Sequence, residues 1–202
     1  MAFDSYMQFI PSKPGGGTLP ALKGESQVQL DLGTDTLAKQ SPALQQGSVF
    51  EIDDFSFDIE QVLNIGSQSS GAGAGKVTFN PFQVTRKTDR ASPTFFMMCC
   101  AGQHFSQVSL CLRRAGGAAG SDSMSSGTTF LRFDFALVAV KTISWSGSDG
   151  DEAPKEEVTF EYGALKVTYQ QQSSSGGAQG GPISGQWNRV YNNNKFQEIS
   201  TT

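Results

Sequence analysis

The sequence predicts a mainly β protein: a compact β-barrel, or two curved antiparallel sheets, with one short α-helix at about residues 92–101. Apolar and polar residues alternate in several segments, as they do in half-buried strands. Phenylalanine is abundant, with 15 copies in 202 residues, and aromatic rings suit a pleated surface. One segment alone, residues 92–101, combines an apolar body with the end signals of a packed helix.

Five segments carry the strand alternation most clearly. They are residues 28–32, 55–59, 108–112, 131–137 and 158–162. The apolar phase shifts by one residue near Asp53-Asp54, at Asn80-Pro81 and at Gly163. Because such a slip moves every later side chain to the opposite face, a bulge or sharp bend is expected at each of these points. Bent strands in series favour a barrel or a strongly coiled sandwich over a flat sheet.

The predicted helix begins with Ser92 as N-cap and Pro93 in the first turn, and ends before Gly102 in a left-handed C-terminal position. A helix this short is stable only when it is packed, so we expect it to plug an open end of the barrel. The plug residues are Ser92, Pro93, Phe95, Phe96, Met97 and Cys100. A second, weaker helix candidate spans residues 36–46 but is interrupted by Pro42.

The length fits one domain over residues 1–202. Two Gly-rich stretches, residues 64–75 and 115–127, are predicted to be flexible loops. Residues 170–202 form a Gly/Ser/Gln-rich C-terminal extension that ends in a short segment containing Trp187.

Composition argues against several classes of partner. The formal net charge is −4 and lysines and arginines do not cluster, so nucleic acid is not expected as a partner. The N-terminus lacks the basic and apolar regions of a secretory signal, and no apolar run is long enough to insert into a membrane. We therefore expect the chain to start in the cytoplasm. The three cysteines, Cys99, Cys100 and Cys111, form no disulfide framework and are predicted to be buried thiols.

The sequence patterns that suggest nucleotide binding, catalysis or metal binding each lack a required residue or spacing. The glycine run before Lys76 suggests a phosphate loop, but Val77 replaces the required Ser or Thr and a strand follows. Cys100 and His104 have the spacing of a nucleophile and base, but Gly102 is expected to end the helix between them. One histidine with three scattered cysteines supports no zinc site, and the acidic turn at residues 149–152 lacks calcium-loop spacing. We predict no catalytic residues, cofactor or metal.

Several segments in order resemble one family, the Hcp tube proteins of bacterial type VI secretion. The segments that carry this resemblance are residues 22–26 (LKGES), 71–77 (GAGAGKV), 88–93 (TDRASP) with the helix, 102–104 (GQH), 108–117 (VSLCLRRAGG), 135–140 (FALVAV), 146–151 (SGSDGD), 157–160 (EVTF), 180–182 (GGP) and 187–188 (WN). The stretch 28–47 is longer than the family usually carries.

The resemblance implies a structural subunit and no enzyme. Six copies would form a ring, and rings would stack into a tube that a contractile sheath surrounds and a trimeric spike protein caps. The tube would be secreted without a cleaved signal peptide, with effector proteins in its lumen. Candidate subunit-interface residues are Leu30, Leu32, Gly71, Gly73, Gly75, Lys76, Gly180, Gly181, Pro182 and Trp187.

Three other hypotheses remain open at this point. One is a tail-tube protein of a phage or of an extracellular contractile injection particle. Another is a monomeric β-sandwich binding module, which would need an exposed aromatic platform, whereas Trp145 and Trp187 are interpreted as packing residues. The last is a cysteine hydrolase built on Cys100 and His104.

Overall fold

The computed structural model describes residues 3–13, 18–28, 30, 32, 35–63, 74–114, 128–173 and 178–196. These residues form ten strands and one helix, which confirms the predicted fold class. The elements are β1 (Phe3–Pro11), β2 (Phe50–Glu51), β3 (Asp54–Ser56), β4 (Ile59–Leu63), β5 (Ala74–Phe79), β6 (Phe82–Lys87), α1 (Ser92–Ala101), β7 (His104–Arg114), β8 (Thr128–Ser146), β9 (Lys155–Tyr169) and β10 (Ile183–Asn188). The predicted loop 115–127 and residues 64–73 of the other predicted loop lie outside the described residues.

The strands form one curled antiparallel sheet and a separate hairpin. The sheet runs in the order β2-β1-β7-β8-β9-β6-β3, and β10 pairs with the second half of β9. Strands β4 and β5 pair only with each other among the described residues. Within the described ranges, no helix has the length and apolar content needed to cross a membrane.

The predicted phase changes coincide with breaks or bends in the strands. Asp53 separates β2 from β3, and Asn80-Pro81 separates β5 from β6. The change at Gly163 falls inside β9, opposite Leu137 of β8, whose φ is +50°. Phe135 and Val138 both enter the main core because the alternation of β8 reverses between them. Ala136 pairs with Ala164 and Val138 pairs with Tyr162, so the register between β8 and β9 does not shift at this bend.

The main core is a cluster of phenylalanine rings inside the curled sheet. Phe9 lies 4.9 Å from Phe95 and 5.3 Å from Phe105 between ring centroids, and Phe82 stacks on Phe135 at 4.5 Å. Burial of one such ring stabilises the fold by about 2 kcal/mol, and edge-to-face pairs add about 0.5–1.5 kcal/mol each. The high phenylalanine content therefore fills this core.

Helix α1 has the predicted range and the predicted end. Gly102 adopts φ +63°, and the N–H of Gln103 donates to the carbonyl of Met98, so a left-handed residue ends the helix. The predicted N-cap is wrong by one residue: Ala91 is the N-cap and makes no side-chain capping bond. Ser92 is the first helical residue, and its hydroxyl accepts from the N–H of Asp89.

Residues 35–49, here called the strap, cover the second face of β1, β7 and β8. The sequence predicted a strand at 28–32 and a weaker helix at 36–46, and the described residues of both ranges form neither. Instead Leu44 and Val49 of the strap pack with Tyr6 and Cys111 in a second cluster, which Val28, Leu30 and Leu32 flank.

The strap is held by buried charges. Arg132 of β8 pairs with Asp134 at 2.8 Å and donates to the strap carbonyls of Leu37, Gln40 and Pro42. Asp35 accepts from the backbone N–H and the hydroxyl of Thr129. On alternation alone Asp134 belongs to the polar face of β8, but it is buried, because the strap covers that face.

Candidate assembly interface

The N-terminus of α1 is anchored by Arg86 of β6. Its Nε donates to Glu156 Oε1 at 2.8 Å, and its Nη2 donates to Asp89 at 2.6 Å and to the Ser92 hydroxyl at 3.1 Å. The guanidinium also lies 5.1 Å from the Phe95 ring centroid. Both Arg86 and Glu156 are buried, so this end of the helix is fixed to β6 and β9.

An apolar surface, here called the helix patch, lies outside this anchor and consists of Phe96, Met97 and Trp145. Their side chains are 45%, 59% and 48% exposed, and the Phe96 and Trp145 ring centroids are 6.3 Å apart. The Trp145 indole N–H donates to Glu156 Oε2 at 2.8 Å. Because the other oxygen of Glu156 binds Arg86, the ring of Trp145 is held in place from the protein interior.

A second apolar surface, the β10 groove, lies between the β4–β5 hairpin and the paired strands β9 and β10. It encloses about 500 Å³. Its lining residues are Ile59, Gln61, Val77, Phe79, Leu165, Val167, Gly185, Gln186, Trp187 and Asn192. Ile183, Val190 and Tyr191 are exposed large side chains on β10 or directly after it. Large apolar side chains thus concentrate here in contact with solvent.

The turn after β10 is locked beside this groove. The side-chain oxygen of Asn188 accepts from the N–H groups of Val190 and Tyr191. Arg189 donates to the carbonyl of Phe79 at 3.3 Å and to Glu161 at 3.2 Å. Partial burial alone would raise the pKa of Glu161, but hydrogen bonds and ion pairs with Lys141 and Arg189 outweigh it and lower that pKa.

The acidic turn between β8 and β9 lies at the same end of the strands as Trp145. Asp151 accepts from the N–H of Ser148, and Lys87 binds Glu152 at 3.0 Å. That hydrogen bond raises the pKa of Lys87 and lowers the pKa of Glu152. Both partners are exposed, so the pair contributes charge to the surface more than stability to the fold.

The predicted interface residues fall in different places. Gly71 and Gly73 lie outside the described residues, and Gly75 and Lys76 belong to β5. Leu30 and Leu32 are half-buried against the second cluster. Gly180, Gly181 and Pro182 are exposed just before β10, where Gly180 has φ +70°. Trp187 of β10 is 36% exposed and lines the groove.

The predicted plug residues divide between two faces of α1. Ser92 and Phe95 are buried, and Phe95 contacts the rings of Phe9 and Phe105. Pro93, Phe96, Met97 and Cys100 are exposed. The buried face of the helix packs on the core, and the opposite face contributes the helix patch.

The cysteines only partly follow the prediction of buried thiols. Cys111 is buried, Cys99 is half-buried and Cys100 is exposed. Burial raises the pKa of Cys111 to about 12. Cys100 lies on α1 and His104 begins β7, with left-handed Gly102 between them. The described residues contain no group of three or more His, Cys, Asp and Glu side chains that could hold a metal ion.

Sequence reasoning identified neither the helix patch nor the groove as a surface, although it named Trp187 as an interface candidate and Phe96 and Met97 as plug residues. It interpreted Trp145 and Trp187 as packing residues, whereas each leaves a third to a half of its surface exposed. The exposure of Trp145 had no local signal, because Ile143 and Trp145 still alternate with Thr142 and Ser144. Exposure at the groove depends on how β10 pairs with β9, which no local pattern encodes.

The family model and the curated relative that match this chain point to the same family. The family described as "Type VI secretion system effector, Hcp" matches residues 40–169. Protein hcp1 of Pseudomonas aeruginosa is 33% identical over 113 residues, which are 56% of this chain and 65% of that protein. The matched stretch therefore spans slightly less than two thirds of that relative's length.

Solved structures share the fold. A structure of a type six secretion system protein superposes with a TM-score of 0.72 at 24% identity, covering 96% of this chain and 100% of the other. Hcp1 from Salmonella typhimurium gives a TM-score of 0.61 at 22% identity, covering 96% and 99% of the two chains.

Proposed function

The chain belongs to the Hcp family of type VI secretion system proteins, and from that premise we propose that it is the structural subunit of the secretion tube. Six copies form a ring, and rings stack into the tube. The observation that carries this proposal is the family match over residues 40–169, which includes α1 and most strands of the sheet.

Exposed apolar surface supports an assembling subunit. The large exposed apolar side chains include Phe96, Met97 and Trp145 on one surface and Ile183, Trp187 and Tyr191 on another. Contiguous apolar surface on a soluble protein marks sites where another molecule binds. Two separate surfaces of this kind suit a subunit that contacts a neighbour on each side.

An open strand edge supports the same conclusion. Strand β10 pairs with β9 through residues Ile183–Asn188, and no other described strand pairs with its outer edge. An unpaired edge offers N–H and C=O groups to a neighbouring chain. The predicted interface residues Gly180, Gly181 and Pro182 directly precede this edge, and Gly71, Gly73, Gly75, Lys76, Leu30 and Leu32 remain proposed contacts between or within rings.

The proposed life cycle follows from the family assignment. The subunit assembles in the cytoplasm, and a contractile sheath surrounds the tube. A trimeric spike protein caps it, and effector proteins travel in its lumen. The tube is then released from the cell, and the subunit itself performs no catalysis.

Electron microscopy and a secretion assay test the proposal together. Negatively stained purified protein should show rings of six subunits with a central hole. The chain should appear in culture medium only from cells with a working secretion apparatus. A protein that remains a single copy at every concentration, or that binds a glycan as a monomer, would contradict the tube assignment and favour a binding module.

A further inference from the structure

The helix patch has the properties of a preformed binding surface. Trp145 is 48% exposed, yet its indole nitrogen is fixed by a carboxylate that is itself buried and paired with Arg86. An aromatic side chain held in one orientation before binding loses little conformational entropy on binding. Tryptophan on a rigid element is also a frequent energetic centre of protein interfaces.

The β10 groove is a concave apolar counterpart to this surface. Its walls come from β4, β5, β9 and β10, and Val77, Leu165 and Trp187 are among its lining residues. Gly185 lies in the lining, and a Cβ atom added there would have no neighbour within 4 Å. The groove therefore has unfilled space at the position where side chains of a partner could enter.

The two surfaces of one chain cannot meet each other. Trp145 pairs with Glu156 and Trp187 pairs with Leu165, so nine residues of β9 separate the two positions. At the rise of an extended strand this separation is about 30 Å. A contact between the helix patch and the groove must therefore join two copies.

Charge favours the same contact. Around the turn next to Trp145, residues 147–157 expose Asp149, Asp151, Glu152, Glu157 and one lysine, whereas Glu156 is buried. Residues 170–196, which supply β10 and its flanks, contain Arg189 and Lys195 and no acidic residue. Arg189 pairs with Glu161 of β9, so the positive charge beside the groove comes mainly from Lys195. Opposite charges beside two complementary surfaces steer association and select one orientation.

We propose that the helix patch of one copy seats in the β10 groove of the next copy, forming the side-to-side contact of the ring. The contact is heterologous because it joins two different surfaces, and it closes into a ring when the rotation between copies closes. This inference rests on the proposed function, and it names the occupant of both apolar surfaces.

Two variants test the contact without disturbing the core. Met97→Glu places a charge in the helix patch, and Gly185→Glu places one in the groove. Gln103→Glu and Asn194→Glu are matched controls, since both residues are exposed, each lies close to its test surface, and neither belongs to the patch, the groove lining or the β10 edge. Ring assembly is measured by sedimentation velocity over a concentration series, and circular dichroism confirms that each variant is folded.

Each test variant should raise the protein concentration needed for rings by about tenfold or more, while both controls assemble like the wild type. An equal mixture of Met97→Glu and Gly185→Glu should associate into pairs without rings, because each copy retains the surface that the other has lost. Rings from either test variant at wild-type concentration would overturn the contact. So would a mixture that associates no more than each variant does alone at the highest soluble concentration.

Two further outcomes separate this contact from the tube function. A wild-type chain that forms no rings contradicts the proposed function itself. A Met97→Glu variant that forms normal rings but is no longer secreted assigns the helix patch to another protein and overturns the contact between copies.

Discussion

Replacing Arg132 by methionine should be among the most destabilising single changes in the chain. The guanidinium is fully buried, pairs with Asp134 at 2.8 Å, and donates to three carbonyls of the strap. Methionine keeps most of the apolar stem, so the loss of stability reports mainly the charge and the hydrogen bonds. Among the described residues, the change leaves the buried Asp134 carboxylate with Ser109 and Gln107 as its remaining side-chain donors.

The expected loss is about 4 kcal/mol. Removing one partner of a buried ion pair costs about 3–5 kcal/mol, because the remaining charge is uncompensated. The strap carbonyls also lose their donors, but they can bind water once the strap lifts, which limits the additional cost. With a urea m-value of about 2.5 kcal/mol/M, the unfolding midpoint should fall by about 1.5 M.

The assay is urea unfolding followed by circular dichroism at one fixed protein concentration, since assembly stabilises the folded state by mass action. Arg114→Met is the matched control, because Arg114 is exposed at the end of β7 with its guanidinium 4.5 Å from the Phe130 ring centroid. The control should lose about 0.5–1 kcal/mol. A loss for Arg132→Met no larger than the control's would refute the claim that this network holds the strap.

Three further changes probe the groove and the core. Glu161→Gln should reduce the loss of folding stability at acid pH by less than about 1 kcal/mol. The pKa of Glu161 is lower in the folded than in the unfolded chain, so its contribution to stability is present at neutral pH and is lost as pH falls through the folded pKa. Thermal unfolding from pH 7 to about 3.5 would detect this difference. Tyr162→Phe removes a buried hydroxyl with no hydrogen-bond partner in the described part of the chain, so the variant should be as stable as the wild type or more stable by up to about 1 kcal/mol. Burial raises the Tyr162 pKa from 10.0 to about 12, so the wild type should also lose more stability than the variant as pH rises through that interval. A variant clearly less stable than the wild type at pH 7 would contradict this reasoning. Iodoacetamide near pH 8 should modify exposed Cys100 and leave Cys111 unmodified until denaturant is added; peptide mass spectrometry showing equal native labelling would contradict the burial argument.

Local patterns predicted the parts of the fold that local chemistry determines. The alternation of two identified core-facing positions of β7 and of the first half of β9, such as Leu110 and Phe160. In β8 it identified Phe135, but it assigned the buried residues Arg132 and Asp134 to the solvent-facing side. Gly102 marked the end of α1. The phase change at Gly163 was also visible, because glycine permits the backbone change that reverses the faces of a strand. Its partner Leu137 was not identified, since a positive φ at leucine follows from pairing with β9 and not from its own preference.

The strap could not be predicted because its contacts are distant in sequence. Arg132 binds carbonyls that lie 90 to 95 residues earlier, and Asp35 binds Thr129 across 94 residues. On alternation alone, Arg132 and Asp134 belong to a solvent-facing side of β8. One signal was available in the sequence. Arg132 and Asp134 have opposite charges on one face of β8, and Cys111, which pairs with Arg132, is apolar. This combination indicates a covered face more than a solvated one.

One motif of the family resemblance has a clear physical basis in the structure. In the segment 22–26, Gly24 lies so close to the Phe50 ring that an added Cβ would be 3.0 Å from it. Glu25 accepts from the N–H of Arg90, and Ser26 donates to Glu51. The motif therefore ties the chain after β1 to β2 and to the segment before α1.

The mass of the particle in solution tests the central claim most directly. Six copies of the 21.6 kDa chain give a closed ring of about 130 kDa. Native mass spectrometry of the full chain over a concentration series should show this species and integer stacks of it. A single mass of 21.6 kDa at every concentration would contradict the assignment of this chain as a ring-forming tube subunit.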